Sequence, residues 1–253
     1  LGAAQRRATL QALADASVKL VVGTHALIQE GVAFQRLGLV VVDEQHRFGV
    51  RQRMELGDKA PAACDMLVMT ATPIPRTLAL AGYGDLDISV LDEKPPGRKP
   101  IDTKLVSMER YEEVVERLRG AIARGQRAYW VCPLVEESDT ANLVAAEDRH
   151  RDLARALGPE HVRLVHGQMP ADQRDSAMAD FQSGAARVLV ATTVIEVGVD
   201  VPEATIMVVE QAERFGLAQL HQLRGRVGRG AERSFCLLLY TLPLGETARA
   251  RLT

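Results

Sequence analysis

Leu37-Gly38-Leu39-Val40-Val41-Val42-Asp43-Glu44-Gln45-His46 is the stretch whose reading decides the fold. The apolar run before Asp43 reads as a parallel strand buried on both faces, so the two acids emerge at its carboxyl end, where open α/β sheets place their ligands. Adjacent acids at that position suit a Mg²⁺-nucleotide, with Asp43 as metal partner and Glu44 orienting or deprotonating the attacking water. Near the other end of the chain stands Gln222-Leu223-Arg224-Gly225-Arg226-Val227-Gly228-Arg229. Its arginines are spaced by glycines and are of the residue type that neutralises charge on a transferring phosphoryl group. Together the two motifs predict a nucleotide-driven motor with its site between two domains.

Between these motifs, apolar runs of strand length alternate with stretches of helical period, the pattern of βαβ units around a mostly parallel sheet. Strands are predicted over Val18–Gly23, Gly38–Asp43, Met66–Ala71, Ile101–Val106, Ala128–Cys132, Val162–His166, Val188–Ala191, Ile206–Val209 and Phe235–Tyr240. Helices over Ala3–Ala16 and Glu109–Ala123 carry apolar residues on one face and read as surface helices packed on a sheet. The stretch Asp92-Glu93-Lys94-Pro95-Pro96-Gly97-Arg98-Lys99-Pro100 continues neither a helix nor a central strand. It sets the expected organisation: a first domain over 1–92, a proline-rich linker over 93–100 and a second domain over 101–253.

The chain has 253 residues, 47% hydrophobic and 25% charged, an ordinary globular composition and enough for either one large domain or two of moderate size. Its formal net charge of −2 means that a nucleic-acid partner would be held by local arrays of Arg, Lys and backbone amides, not by a generally basic surface. The three cysteines, Cys64, Cys132 and Cys236, lack C-x-x-C spacing, which argues against zinc and a disulfide framework and for buried thiols in a reducing cytoplasm. No uncharged stretch approaches the roughly 20 apolar residues of a bilayer span, and no secretory signal is present, so a soluble cytoplasmic protein is expected. The chain begins at Leu1 and nowhere contains the G-x-x-x-x-G-K-[ST] loop that cradles nucleotide phosphates, which reads as a fragment.

Each further motif has a plain structural alternative. Thr70-Ala71-Thr72-Pro73-Ile74-Pro75-Arg76-Thr77 follows an apolar run, so its hydroxyls could bond the acids of the neighbouring strand; equally, Thr72 could only cap a helix. In Ala191-Thr192-Thr193-Val194-Ile195-Glu196-Val197-Gly198-Val199-Asp200-Val201-Pro202, Gly198 permits a turn and Asp200 could reach a ribose hydroxyl or cap the next loop. Asp43-Glu44 alone could be a solvated turn, and with His46 it could belong to a metallohydrolase, though no H-E-x-x-H accompanies it. The arginine segment could be a basic loop. The conjunction of four segments in this order, each expected after a strand of the right kind, decides for function.

The combination resembles the motor region of superfamily 2 helicases and, more narrowly, the bacterial RecG family of branched-DNA translocases. The matching segments are Asp43–Gly49 (DEQHRFG), Thr70–Thr77 (TATPIPRT), Gln126–Cys132 (QRAYWVC), Val165–Met169 (VHGQM), Ala191–Pro202 (ATTVIEVGVDVP) and Gly216–Gly230 (GLAQLHQLRGRVGRG). The resemblance implies two RecA-like domains, the first truncated on its N-terminal side, using ATP and Mg²⁺. Asp43 would hold Mg²⁺ through water, Glu44 would activate the attacking water, and Gln45 and His46 would couple the nucleotide to Thr70 and Thr72. Gly198, Asp200 and Gln222 would contact the nucleotide, and Arg226 and Arg229 would be arginine fingers. Thr24, His25, His166, Gly167 and Thr192 would grip a DNA backbone. Branched or duplex DNA is the expected track, bound in a salt-dependent way, by a monomer. A single-strand-binding protein is an expected partner of the whole protein. The phosphate loop and branch-recognising wedge would lie before Leu1, so hydrolysis by this chain alone is not expected.

Two competing readings carry their own tests. A transcription-repair coupling translocase of the Mfd type shares the TATPIPRT-like and arginine segments. The DEQH at Asp43–His46, together with Tyr129-Trp130-Val131-Cys132 and Glu136-Glu137-Ser138, favours RecG. A degenerate, non-catalytic binding module would not be expected to keep Asp43, Glu44, Arg226 and Arg229.

Overall fold

The computed structural model describes residues 2–27, 29, 31–43, 64–70, 87–93, 97–133, 139–192, 201–230 and 232–252. The chain divides into two compact units, 1–90 and 91–253. Among the described residues no helix is long and apolar enough to cross a membrane.

In the first unit, α1 (Ala3–Ala14) precedes a short 3₁₀ turn (His25–Leu27), and β1 (Leu39–Val42) pairs in parallel with β2 (Asp65–Val68). Val42 is buried at the centre of a small cluster with Val40, Met66 and Val68. Three expectations need correcting here. The β1 strand is not buried on both faces: Leu39 is 58% and Val41 52% exposed. A strand face is buried only when an element packs on it, and among the described residues only the Val42 side is so covered. The predicted strand over Val18–Gly23 is irregular, with Leu20 and Val22 largely exposed. It finds no ladder partner among the described residues, and β-propensity without pairing does not hold a strand. Among the described residues helix α1 buries only Leu13 and packs along no strand, unlike the sheet-packed helix expected over Ala3–Ala16.

In the second unit six parallel strands stand in the order β3-β8-β7-β4-β6-β5. They are β3 (Ile101–Ser107), β4 (Arg127–Val131), β5 (Val162–Val165), β6 (Val188–Ala191), β7 (Ala204–Val209) and β8 (Ser234–Tyr240). Helices α2 (Tyr111–Ala123), α3 (Asp139–Leu157), α4 (Ala171–Ser183), α5 (Leu217–Arg224) and α6 (Glu246–Leu252) complete it. Strands β4, β6 and β7 are apolar at almost every position because both faces are covered, the signature of a parallel sheet between helices. On one face Trp130, Val190 and Val208 pack with Val114, Val115 and Leu118 of α2 and Leu153 of α3. On the other, Tyr129, Leu189 and Met207 pack with Phe181 of α4 and with Leu220 and Leu223 of α5. Burying such side chains contributes roughly 1.5–3 kcal/mol each, so this three-layer core fixes the strand ends that carry the polar motifs. Cys132 and Cys236 are buried as expected, whereas Cys64, on a strand entry of the two-stranded sheet, is only half-buried.

Candidate nucleotide and DNA site

Asp43 directly follows β1, and the Met69 amide donates to the Val42 carbonyl across the carboxyl edge at 2.8 Å. The two-stranded sheet thereby brings exposed Asp43 and half-buried Thr70 to one edge. Glu44, Gln45, His46 and Thr72 lie outside the described residues. Thr24 is exposed just before the 3₁₀ turn opened by His25, and its hydroxyl accepts from the Ala26 amide at 3.5 Å. No cluster of three His, Cys, Asp or Glu arranged for a metal occurs among the described residues. Asp43 nevertheless fits Mg²⁺, which needs only one or two carboxylates when phosphates and water complete its shell.

In the second unit the sequence-predicted residues fall into two groups at opposite edges of one sheet. At the carboxyl edge, Val165 pairs with Ala191, so the next residues, His166 and Thr192, stand on neighbouring strands. Thr192 is buried, Gly167 is exposed, and the His166 Nδ1 is buried without a hydrogen-bond partner. An orphaned buried nitrogen beside an open glycine is a natural place for a ligand oxygen. Gly198 and Asp200 lie outside the described residues.

Gln222, Arg226 and Arg229 belong to the other edge. Helix α5 carries Gln222 and ends at Gly225, after which the chain turns through Val227, buried in the core, into Gly228. Gly228 has φ +74°, and a Cβ there would come within 2.8 Å of Ile101 Cγ1, so only glycine fits between this turn and the start of β3. A Cβ on Gly230 would meet the Pro202 carbonyl at 3.1 Å, just before β7 begins. The arginines therefore project from a loop wedged against the amino ends of β3, β7 and β8. Arg229 is exposed, with its Nε donating to the Gly225 carbonyl at 3.3 Å, and Arg226 is half-buried. The rule that ligands gather at the carboxyl edge accounts for His166 and Thr192 but not for these arginines.

Two groups escaped the sequence reading. Glu210, just past β7, is buried and receives Trp130 Nε1 at 2.9 Å and Arg149 through Nε at 2.9 Å and Nη2 at 2.5 Å. Arg149 stacks over the Tyr111 ring at 4.4 Å. Burial opposes the Arg149 charge, but Glu210 more than offsets this and holds its pKa above the ordinary arginine value. Burial also raises the Tyr111 phenol, against the pull of Arg149. The available signal was a single acid closing the apolar run of β7. The second group is Arg98, whose Nε donates to the Gly228 carbonyl at 3.0 Å. It lay in a stretch that reads only as a linker.

The sequence and the fold have known relatives. Residues 1–81 match the DEAD/DEAH box helicase family and residues 109–231 the helicase conserved C-terminal domain family. An ATP-dependent DNA helicase RecG of Acidithiobacillus ferridurans is 57% identical over 247 residues, 98% of this chain and 36% of that protein. Its counterpart in Escherichia coli strain K12 is 52% identical over 251 residues, 98% of this chain and 36% of that protein. A solved structure of RecG bound to a three-way DNA junction superposes with TM-score 0.70 at 45% identity, covering 100% of this chain and 32% of that one. The helicase Lhr of Mycobacterium smegmatis, 19% identical with TM-score 0.64, covers 98% of this chain and 34% of its own, and shares the fold. The chain thus spans 36% of the length of the first two relatives, and across that span its RecA-like parallel-sheet units and its sequence place it in the RecG helicase family.

Proposed function

We propose that this chain is part of the motor of an ATP-dependent DNA helicase that remodels branched DNA. The observation that carries this reading is the 57% identity to a RecG helicase across 98% of the chain. The junction bound in the similar RecG structure supports a branched track.

Mg²⁺-ATP, when bound, supplies the γ-phosphoryl group whose hydrolysis drives the cycle. Asp43 would hold the Mg²⁺, which would offset phosphate charge, and Glu44 would orient and deprotonate the attacking water. Gln45, His46, Thr70 and Thr72 relay the state of the nucleotide, and Gly198, Asp200 and Gln222 position it. Arg226 and Arg229 neutralise charge that develops on the phosphoryl oxygens, an effect that exists only in the transition state. Thr24, His25, His166, Gly167 and Thr192 hold DNA phosphates. With 4% aromatic residues in the chain, grip through phosphates is better supported than base stacking. The proline-rich 93–100 segment joins the two motor domains, and the protein acts in the cytoplasm as a monomer, with a single-strand-binding protein as a partner of the whole chain.

Arg229→Ala in the full-length parent tests the role of the loop. DNA-stimulated kcat is expected to fall by about 10³-fold, the scale of arginine-finger effects, with the KM for ATP within about threefold. An unchanged kcat would remove Arg229 from the chemistry.

A further inference from the structure

Helix α5 ends at Gly225, so the Gly225 carbonyl is one of the last acceptors without a partner inside the helix. Two guanidinium groups reach it. Arg229 Nε donates to it at 3.3 Å and Arg98 Nη2 at 3.5 Å, while Arg98 Nε donates to the Gly228 carbonyl at 3.0 Å. A cation at this position is also favoured by the negative end of the helix dipole. Arg98 is half-buried, preceded by Gly97 at φ +83° and followed within three residues by Ile101, which opens β3. Ile101 is the residue whose side chain leaves no room for a Cβ on Gly228. The same short segment therefore touches the arginine loop twice, by hydrogen bonds from Arg98 and by packing from Ile101. This segment lies just inside the second unit, which begins at Leu91, and includes the end of the 93–100 stretch proposed above to join the two motor domains.

We propose that Arg98 is a positioning residue that latches the segment joining the two units onto the Gly225–Gly230 loop, so that the setting of this segment governs where Arg226 and Arg229 present their charge. The inference rests on the reading above that these two arginines act on a phosphoryl group. The shared carbonyl gives the latch its logic. When Arg229 leaves Gly225 to engage a phosphoryl oxygen, Arg98 keeps the helix-terminal acceptor satisfied and the loop backbone fixed. Movement of the joining segment would withdraw both bonds at once.

The test uses the full-length parent with forked DNA, comparing wild type, Arg98→Ala, Arg98→Lys and Arg229→Ala. Misplacing a charge-stabilising group by about 1 Å costs on the order of 10²-fold, so Arg98→Ala is expected to lower kcat by about 10- to 100-fold. The KM for ATP and the thermal midpoint stay at the wild-type level. Affinity for ADP with aluminium fluoride, which imitates the transferring phosphoryl group, falls by a similar factor, while affinity for ADP does not change. Arg98→Lys keeps the charge but has one compact head group in place of a planar fork, and it too is expected to lose kcat. Wild-type kcat in either Arg98 variant would overturn the proposal, as would equal losses of affinity for ADP and for the analogue, which mark a general structural defect. If wild type itself shows no DNA-dependent hydrolysis, or Arg229→Ala is unimpaired, the functional reading fails instead, and the two failures are told apart.

Discussion

Glu210 shows how much one buried carboxylate organises. Its two oxygens take four donors from three residues, Trp130 on β4, Cys132 just past β4 and Arg149 on α3, and Arg149 in turn covers Tyr111 at the head of α2. The side chains of Glu210 and Arg149 are only 7% and 17% exposed. A pair this buried adds little over an apolar substitute, yet removing one partner strands the other charge in the core. Glu210→Ala is therefore expected to cost about 3–5 kcal/mol, read as a lower urea midpoint. The chain has a single tryptophan, Trp130, so its fluorescence follows the transition and reports loss of the hydrogen bond in the folded state. A midpoint within error of wild type would show that Arg149 finds another counter-charge. None of this was legible in sequence. An acid that closes an apolar run looks like any strand end, and its partners are 61 to 80 positions away in the chain.

At the scale of elements, strands whose both faces are covered were read closely. The β6 strand over Val188–Ala191 has the predicted ends, and β7 and β8 begin two and one residues earlier than predicted. Their apolar residues report burial truthfully because helices pack on both sides. The same signal misled over Val18–Gly23 and overstated the burial of β1, since apolar sequence records the tendency to be covered and not the presence of a cover. The thiols of the second unit carry a testable consequence. Burial pushes Cys236, within β8, from 9.0 up to about 12, with Arg224 pulling weakly the other way, and it raises Cys132 as well. The folded protein thus holds these protons more tightly than the unfolded chain. Their contribution to stability is complete below about pH 9 and is lost as pH rises from there towards about 12. The urea midpoint of the second unit is expected to fall across that window, and less steeply in Cys236→Ala. An equal alkaline slope in both proteins would mean that other groups set it.

For the molecule as a whole, the chain's net charge of −2 means that the proposed DNA binding would rest on local features. The second unit sets its candidate residues at opposite edges of one sheet: His166 with Thr192, proposed to hold DNA phosphates, and the loop bearing Arg226 and Arg229, proposed to act on the nucleotide. The motifs were legible because each is contiguous in sequence. Their division between two edges was not, because it depends on strand order and on where α5 returns the chain to β8. Arg98 was missed for a related reason, since its value lies in a contact with residues 127 and 130 positions away. The most direct test of the account is ATP hydrolysis by the full-length parent on forked DNA, on linear duplex of equal length and without DNA. The account predicts strong stimulation by the fork over the linear duplex, weakening steeply as salt rises. Equal stimulation by the two DNAs, or none by either, would contradict it.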